Sequence, residues 1–303
     1  TTISRRIEEI DINRIGGQGE NIFVVSKATL PVLKSWPSKR KNLLVAFVLA
    51  GGLAVGLCFF LDYMDTTVKG EVDVRRVLNS KVLAGIPNIR QKGEGAGESD
   101  LVVLDSPRSH TAEAFRALRT ALTFSLPGEN IRSVVVSSAL PSEGKSLAAI
   151  NLAITQAQTN KRTILIDGDM RKPRLHHVFG VSNHHGLSGL LSGAEDKNLN
   201  ELIVETPVEN MHFLPCGPIP RNPAERLEGK AFGNLLESLH NDYDFIVIDS
   251  PPGFSLVDSL ILAKHTDGLI LVVRSFVTPK AAAEQFATRL SEADARLLGV
   301  VMN

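Results

Sequence analysis

One stretch of this 303-residue chain combines residue types that suit phosphate chemistry. Residues 139–146 read Ala-Leu-Pro-Ser-Glu-Gly-Lys-Ser and fit the pattern G-x-x-x-x-G-K-[ST], except that Ala139 replaces the first glycine. Gly144 lets the backbone approach a phosphate, Lys145 supplies charge for the β- and γ-phosphates, and Ser146 offers a hydroxyl to Mg²⁺. The residues predicted to contact a nucleotide here are Ala139, Ser142, Glu143, Gly144, Lys145, Ser146 and Leu147.

Acidic residues follow two further apolar runs of the chain. Asp167 and Asp169 are spaced i and i+2 and precede Arg171, and Asp249 follows four apolar residues in a Walker B pattern. Carboxylates at such positions can reach Mg²⁺ and an attacking hydroxyl. The spacing indicates Asp167 as a general base or metal ligand, Asp169 as a second candidate beside the metal, Arg171 as a partner for phosphate charge, and Asp249 as a ligand in the Mg²⁺ shell.

The elements that must position these residues alternate between strand and helix. The candidate strands are apolar and β-branched on both faces, which is typical of a buried parallel sheet. Since ligands bind at the carboxyl ends of such strands, the acidic residues and the phosphate loop should meet at one edge. The helical runs are Ser109–Phe124 and Leu147–Gln158. The strands are Ser133–Ser137, Thr163–Ile166, Met211–Leu214, Phe245–Ile248, Leu269–Val273 and Leu297–Met302.

An uncharged run, Leu43–Leu61, precedes this pattern. It is long enough to cross a ~30 Å hydrocarbon core as a helix. Charges flank it on both sides, at residues 39–41 and at Asp62 and Asp65, which favours a membrane span over a buried core helix. The predicted fold class is therefore α/β, a P-loop NTPase-like, mostly parallel sheet flanked by helices and preceded by a transmembrane helix.

Composition excludes several function classes. The formal net charge is zero, so nucleic-acid binding gains no support. Cys58 and Cys216 lie in distant segments and predict neither a disulfide framework nor a zinc site. Histidines occur in pairs at 176–177 and 184–185, but no cysteine or carboxylate set completes a tetrahedral shell, so a polar connector is favoured over a metal site.

The predicted domain organisation has four parts. Residues 1–42, with a short strand at Ile22–Val25, are too few for a core of their own. Residues 43–62 form the transmembrane helix. Residues 63–100 form a juxtamembrane segment with a helix at Val72–Leu78 and a strand at Val82–Ile86, closing in the Gly/Glu-rich linker Gln91–Asp100. Residues 101–303 form the nucleotide-binding domain, and both chain ends are expected to continue into a longer protein.

Taken together, the motifs resemble those of the bacterial tyrosine autokinases that act as polysaccharide co-polymerases in capsule and exopolysaccharide export. Residues 139–146 are similar to their Walker A, residues 166–171 to their Walker A′, and residues 248–252 to their Walker B. The resemblance implies Mg-ATP-dependent phosphorylation of tyrosine, regulation of polymer length and export, contact with the export machinery and a tyrosine phosphatase, and a possible adenine contact at Asn303. It also implies that residues 1–42 are the tail of an extracytoplasmic chain-length domain.

The resemblance extends to Glu113, Arg116 and Arg119, which match an E-x-x-R-x-x-R stretch that joins kinase domains into a ring. By spacing alone, these side chains share a helix face and could equally form i,i+3 pairs in water. The family pattern implies instead that they contact a neighbouring subunit of a homo-oligomer.

Two arguments about the membrane topology disagree. By the positive-inside rule, the basic residues 39–41 would put the N-terminal side of the span in the cytoplasm. The ATP site lies on the C-terminal side, however, and ATP is found in the cytoplasm. We favour the second argument, which predicts a protein of the bacterial inner membrane with a cytoplasmic kinase domain.

The family's tyrosine-rich tail has no counterpart here, because the chain contains only Tyr63 and Tyr243.

Two other functions stay open at this level. One is a switch ATPase of the chromosome-partitioning and division-site kind, although its signature lysine is replaced by Leu140. The other is a scaffold that binds nucleotide without catalysis and controls its own assembly. Intact Lys145, Ser146, Asp167 and Asp249 favour catalysis over the scaffold.

Overall fold

The computed structural model describes residues 36–87, 100–124, 130–194, 198–253 and 257–303. The chain divides into two compact units between Met64 and Asp65. In its described part the first unit is one long helix, and the second is an α/β unit built on an eight-stranded sheet. The strand expected at Ile22–Val25 and nearly all of the expected linker Gln91–Asp100 lie outside the described residues.

The helix of the first unit, α1 (Lys39–Met64), has 26 residues and contains the whole predicted span Leu43–Leu61. All of its side chains are exposed in the structure. By length and composition this helix could cross a membrane.

The sheet contains all six predicted strands of the nucleotide-binding part and two more at its edges. Its order is β1-β8-β7-β2-β6-β3-β5-β4, and every pairing is parallel except β4 with β5. The central position of β2, between β6 and β7, places its carboxyl end in the middle of the sheet edge. The strands are β1 (Val82–Gly85), β2 (Ser133–Ser138), β3 (Thr163–Asp167), β4 (Val204–Glu205), β5 (Met211–Leu214), β6 (Phe245–Asp249), β7 (Leu269–Val273) and β8 (Leu297–Met302).

Helices cover both faces of the sheet. Alternate strand residues point to opposite faces, so Val135 and Ile246 join one core cluster whereas Val134 and Val247 join the other. The remaining helices are α2 (Glu71–Leu78), α3 (Val102–Asp105), α4 (His110–Phe124), α5 (Lys145–Ala157), α6 (Leu175–Val178), α7 (Leu187–Ser192), α8 (Leu199–Leu202), α9 (Pro223–Glu228), α10 (Lys230–Asp242), α11 (Asp258–Lys264) and α12 (Lys280–Glu292). Because both faces are buried, the central residues of β2, β3, β6 and β7 are apolar, as the sequence predicted.

The juxtamembrane segment departs from the expected division of the chain. Strand β1 pairs in parallel with β8, and Val74 and Leu78 of α2 are buried in the core of the same unit. This compact unit therefore begins at Asp65, so the boundary expected at residue 100 does not divide it. The physical reason is that β1 pairs its backbone with β8 and that apolar side chains of β1 and α2 are buried in the two core clusters of this unit.

Candidate active site

The phosphate loop connects β2 to α5 as the sequence predicted. Ser142 and Gly144 both adopt left-handed backbone conformations, with φ of 63° and 100°, so the chain turns sharply into the first turn of the helix. Gly144 is required here twice over, because a Cβ atom would also lie 2.5 Å from Nδ2 of Asn303. The loop thereby directs the free N–H groups of the α5 N-terminus toward the edge of the sheet, where an anion is favoured.

Side chains from three strand ends meet beside this loop. The Ser146 hydroxyl donates to Asp249 Oδ2 at 2.6 Å, and Lys145 Nζ donates to Asp169 Oδ2 at 2.9 Å. Lys145 Nζ also lies 3.5 Å from Asp249 Oδ1. The structure thus brings together four of the residues that the sequence predicted for phosphate and Mg²⁺ chemistry.

Asp249 carries the most unusual environment of this group. Its side chain is buried, and its Oδ1 atom accepts no hydrogen bond in the described structure, although Lys145 lies near it. Burial raises the pKa of Asp249 above its usual range, and the positive charge of Lys145 opposes that rise. Burial alone would lower the pKa of Lys145, but the charges of Asp249 and Asp169 raise it overall, so this lysine stays protonated.

The donor set fits Mg²⁺. Mg²⁺ prefers hard oxygen ligands and is usually bound by one or two protein side chains together with phosphates and water. Asp249 offers a buried oxygen without a hydrogen bond, and Ser146 offers a hydroxyl beside it. In the part of the chain that the structure describes, these two residues satisfy the requirement better than any histidine or cysteine grouping.

Asp167 ends strand β3, which is the neighbour of β6, the strand that ends in Asp249. The two aspartates are direct partners in the parallel register of β3 and β6. Both Asp167 oxygens accept backbone N–H bonds, from Asp169 at 3.3 Å and from Leu175 at 3.1 Å. Burial, reinforced by the charge of Asp249, raises the pKa of Asp167 to about 8. A carboxyl that titrates near neutral pH is suited to accepting a proton from a substrate hydroxyl.

Arg171 lies in a different environment from the other predicted site residues. Its guanidinium makes a two-pronged pair with the buried Asp258, at 2.8 Å from Nε and 3.1 Å from Nη2. Its side chain lines a cavity of about 240 Å³ together with residues 221–225, rather than contacting the phosphate loop. Sequence reasoning missed Asp258, which lies 87 positions from its partner. The phosphate role of Arg171 stays a prediction.

Asn303 and Thr278 contact Glu143, a residue of the phosphate loop. Asn303 Nδ2 donates to the Glu143 carbonyl oxygen at 2.8 Å, so its amide contacts the loop backbone in this structure. The Glu143 carboxylate is buried and accepts from the Leu140 N–H at 2.8 Å and from the Thr278 hydroxyl. Burial raises the pKa of Glu143. Thr278 was missed, since no sequence pattern links it to the loop.

The residues predicted for subunit contacts lie together on α4. Arg116 is ion-paired with Glu113 and also donates to the Pro107 carbonyl at 2.8 Å. Arg119 donates to the Thr155 carbonyl on α5 at 2.9 Å. The intramolecular pair expected from the i,i+3 spacing is therefore present, and Arg119 links two helices of the same chain. Contact with a second subunit stays a prediction.

Comparison with known proteins adds independent findings. Residues 134–297 match the family model described as AAA domain. The chain is 34% identical to tyrosine-protein kinase YwqD of Bacillus subtilis, over 68% of this chain and 86% of that protein. It is 27% identical to tyrosine-protein kinase ptk of Acinetobacter johnsonii over 100% of this chain, but it spans only 42% of that protein's length.

A solved structure shows the same likeness in three dimensions. The kinase domain of Escherichia coli tyrosine kinase ETK superposes with a TM-score of 0.71 at 27% identity, covering 78% of this chain and 94% of that domain. The similarity therefore includes the α/β unit and its nucleotide-binding edge, which is the part of the chain that carries the cluster around Lys145 and Asp249.

Proposed function

Because the chain belongs to the bacterial tyrosine autokinases, we propose that it transfers the γ-phosphoryl group of ATP to protein tyrosine hydroxyls. The observation that carries this proposal is the contact between Ser146 and Asp249, with Lys145 beside them and one buried Asp249 oxygen lacking a hydrogen bond. Lys145 supplies a positive charge for phosphate, and Ser146 and Asp249 each supply an oxygen for a divalent ion.

The residues of this chain have separable tasks in that reaction. Lys145, which is held between Asp169 and Asp249, neutralises charge on the transferring group when it turns toward the phosphates. Ser146 and Asp249 hold Mg²⁺, which when bound neutralises and orients the phosphate oxygens. Asp167 accepts the proton of the attacking tyrosine hydroxyl, for which its raised pKa of about 8 is well placed.

The setting of the enzyme is part of the proposal. The exposed apolar helix α1 anchors the protein in the inner membrane, and the α/β unit faces the cytoplasm, where ATP is present. Residues 113–119 join α/β units into a homo-oligomer. Phosphorylation there regulates capsule or exopolysaccharide polymerisation and export, with a tyrosine phosphatase reversing it. Neither Tyr63 nor the buried Tyr243 belongs to a tyrosine cluster.

The direct test uses an added acceptor. The protein is incubated with Mg-ATP and a synthetic copolymer of glutamate and tyrosine, and phosphotyrosine is measured by antibody and by mass spectrometry. We expect transfer by the wild type and a loss of at least ~10²-fold in Lys145→Met, because a charge that stabilises the transition state is removed. The exposed Lys264→Met on α11 is the matched control and should retain wild-type transfer.

The same assay separates the alternatives. Release of inorganic phosphate without phosphotyrosine would support a switch ATPase, although Leu140 occupies the position of the signature lysine of that class. Tight ATP binding with neither product would support a scaffold. Either result would contradict the kinase proposal.

A further inference from the structure

The turn formed by residues 274–278 exposes apolar side chains that no described part of the protein covers. Phe276 is 67% exposed and Val277 is 49% exposed. Phe276 also has a φ of 60°, an uncommon backbone conformation for a bulky residue. The exposed ring therefore belongs to a residue whose backbone has a defined left-handed conformation.

Hydrogen bonds make this turn rigid. Thr278 N–H donates to the Arg274 carbonyl at 2.9 Å, and the Arg274 N–H donates to the Thr278 hydroxyl at 2.8 Å. Thr278 itself is fully buried. Phe276 and Val277 are thus exposed on a hydrogen-bonded turn in which Thr278 is buried.

The turn is also tied to the chain that leaves α1. Phe276 N–H donates to the Val68 carbonyl at 2.9 Å, Val68 N–H donates to the Thr278 carbonyl at 2.8 Å, and Lys280 N–H donates to the Thr66 carbonyl at 2.9 Å. Residues 66–68 follow α1, which ends at Met64, after only a short connection. Three residues, Asp65, Thr66 and Thr67, separate Met64 from Val68 in the chain.

Nearby charges do not oppose contact with lipid. Asp65 is paired with Lys69 at 3.2 Å, and Asp73 is paired with Lys280 at 2.7 Å. Arg274 and the exposed Arg76 add positive charge on the same segments. Cations are attracted to the negative surface of the cytoplasmic leaflet, and aromatic rings are enriched at the membrane interface.

We propose that Phe276 and Val277 insert into the cytoplasmic interface of the lipid bilayer and dock the α/β unit against the membrane beside its anchor. The short connection brings this turn close to the headgroup layer, and the exposed apolar pair is the part of the turn that gains by leaving water. The inference rests on the proposed membrane anchorage through α1 and is independent of tyrosine phosphorylation.

Tryptophan emission in brominated lipid tests the proposal. The chain has a single tryptophan, Trp36, which is replaced by phenylalanine to give a silent background. The full 303-residue chain is reconstituted in nanodiscs of phosphatidylcholine and phosphatidylserine, with acyl chains that are either brominated near the headgroup or unmodified. In this background Phe276→Trp should lose emission in the brominated lipid. Phe124→Trp on α4, where the native side chain is 76% exposed, should keep its emission.

Two further variants test the membrane span itself and provide a second reporter in the turn. Phe59→Trp on α1 should lose emission if that helix spans the bilayer, and its failure to do so would overturn both the anchorage and the docking without affecting the phosphotyrosine result. Val277→Trp is a second reporter if Phe276→Trp does not fold. Emission unchanged at 276 and 277, with Phe59→Trp quenched, would overturn the proposal. A shift in emission that follows protein concentration instead of bromination would assign the turn to contact with a second copy and would also overturn it.

Discussion

The Thr278 hydroxyl donates a hydrogen bond to the carboxylate of Glu143, and both side chains are buried. The two residues are 135 positions apart in the chain. Glu143 belongs to the phosphate loop, and Thr278 to the turn that is bonded to residues 66–68 after α1. This contact therefore connects the segment that follows α1 to the loop predicted to hold the nucleotide.

Thr278→Val should destabilise the α/β unit by about 1–3 kcal/mol, because it leaves a buried Glu143 oxygen and the Arg274 N–H without their partner. Urea unfolding followed by circular dichroism measures the loss. Thr278→Ser should recover most of the stability because it keeps the hydroxyl. The exposed Thr288→Val on α12 is the matched control. Equal stability of the wild type and Thr278→Val would show that the contact contributes nothing.

Asp249→Asn should raise the Mg²⁺ concentration needed for phosphotransfer by ~10- to 100-fold, since it removes the charge of a buried oxygen ligand candidate while keeping an acceptor for Ser146. Mg²⁺ titrations at fixed ATP provide the measurement. The exposed Asp294→Asn should leave the titration unchanged. An unaltered Mg²⁺ requirement in Asp249→Asn would remove this residue from the metal shell.

Asp167 predicts a particular pH dependence of stability in the absence of ligands. Its folded-state pKa, about 8, lies above its usual value of 3.8, so the folded protein retains a proton that the unfolded chain releases between these values. The free energy of unfolding should therefore fall as the pH rises from about 4 to about 8 and level off above that range.

Asp167→Asn removes this titrating group and should flatten that fall, so the variant is more stable than the wild type at pH 8. Urea unfolding at several pH values gives the two slopes. Asp294→Asn is again the control, since its carboxylate is exposed. A slope in Asp167→Asn as steep as that of the wild type would show that other groups govern the dependence.

Gly168 lies between Asp167 and Asp169 and has no room for a side chain. A Cβ atom there would lie 2.8 Å from the Asp249 carbonyl oxygen and 2.9 Å from Cγ2 of Ile248. Gly168→Ala should cost about 1–3 kcal/mol of stability through overpacking and weaken nucleotide binding as β6 shifts. Thermal unfolding and ATP titration test both effects. Gly85→Ala, whose Cβ would meet nothing within 4 Å, should be tolerated.

The exposed face of α4 carries the prediction about assembly. Arg116→Glu replaces the ion pair with Glu113 by two like charges and should dissociate the proposed homo-oligomer while ATP binding persists. Light scattering and ATP titration measure the two properties. Lys230→Glu, which makes the same charge change at an exposed site on α10, should leave the assembly intact. An Arg116→Glu protein of unchanged mass would contradict the predicted interface.

Local sequence patterns predicted the central strands of the sheet and the strand at Val82–Ile86, but they missed β4 and the pairing of β1. The buried strands around β2 are continuous apolar runs, and their carboxyl ends carry Asp167 and Asp249, so composition and order along the chain were sufficient. Strand β4 is only two residues long and pairs antiparallel, which leaves too short a pattern to detect. The pairing of β1 with β8 joins residues from opposite ends of the described unit, and no local signal encodes it.

In the candidate site, too, local motifs predicted some residues, whereas others depend on partners that are distant in sequence. Lys145, Ser146, Asp169 and Asp249 each follow a strand within a recognisable motif, and the parallel sheet brings them together. Asp258 and Thr278 act through partners that are distant in sequence, and an isolated aspartate or threonine is common in any chain. Their contribution depends on burial, which only the folded structure reveals.

The pairing of β1 with β8 has a consequence for how the protein is made. During synthesis α1 and β1 leave the ribosome before β8 and before Asn303, which contacts the phosphate loop. Domains fold largely in the order in which they emerge, but β1 cannot join this sheet until β8, its pairing partner, is available. A nascent chain in which α1 has emerged but β8 has not would therefore carry an incomplete phosphate-loop site, and that site would be complete only after β8 and Asn303 have been translated.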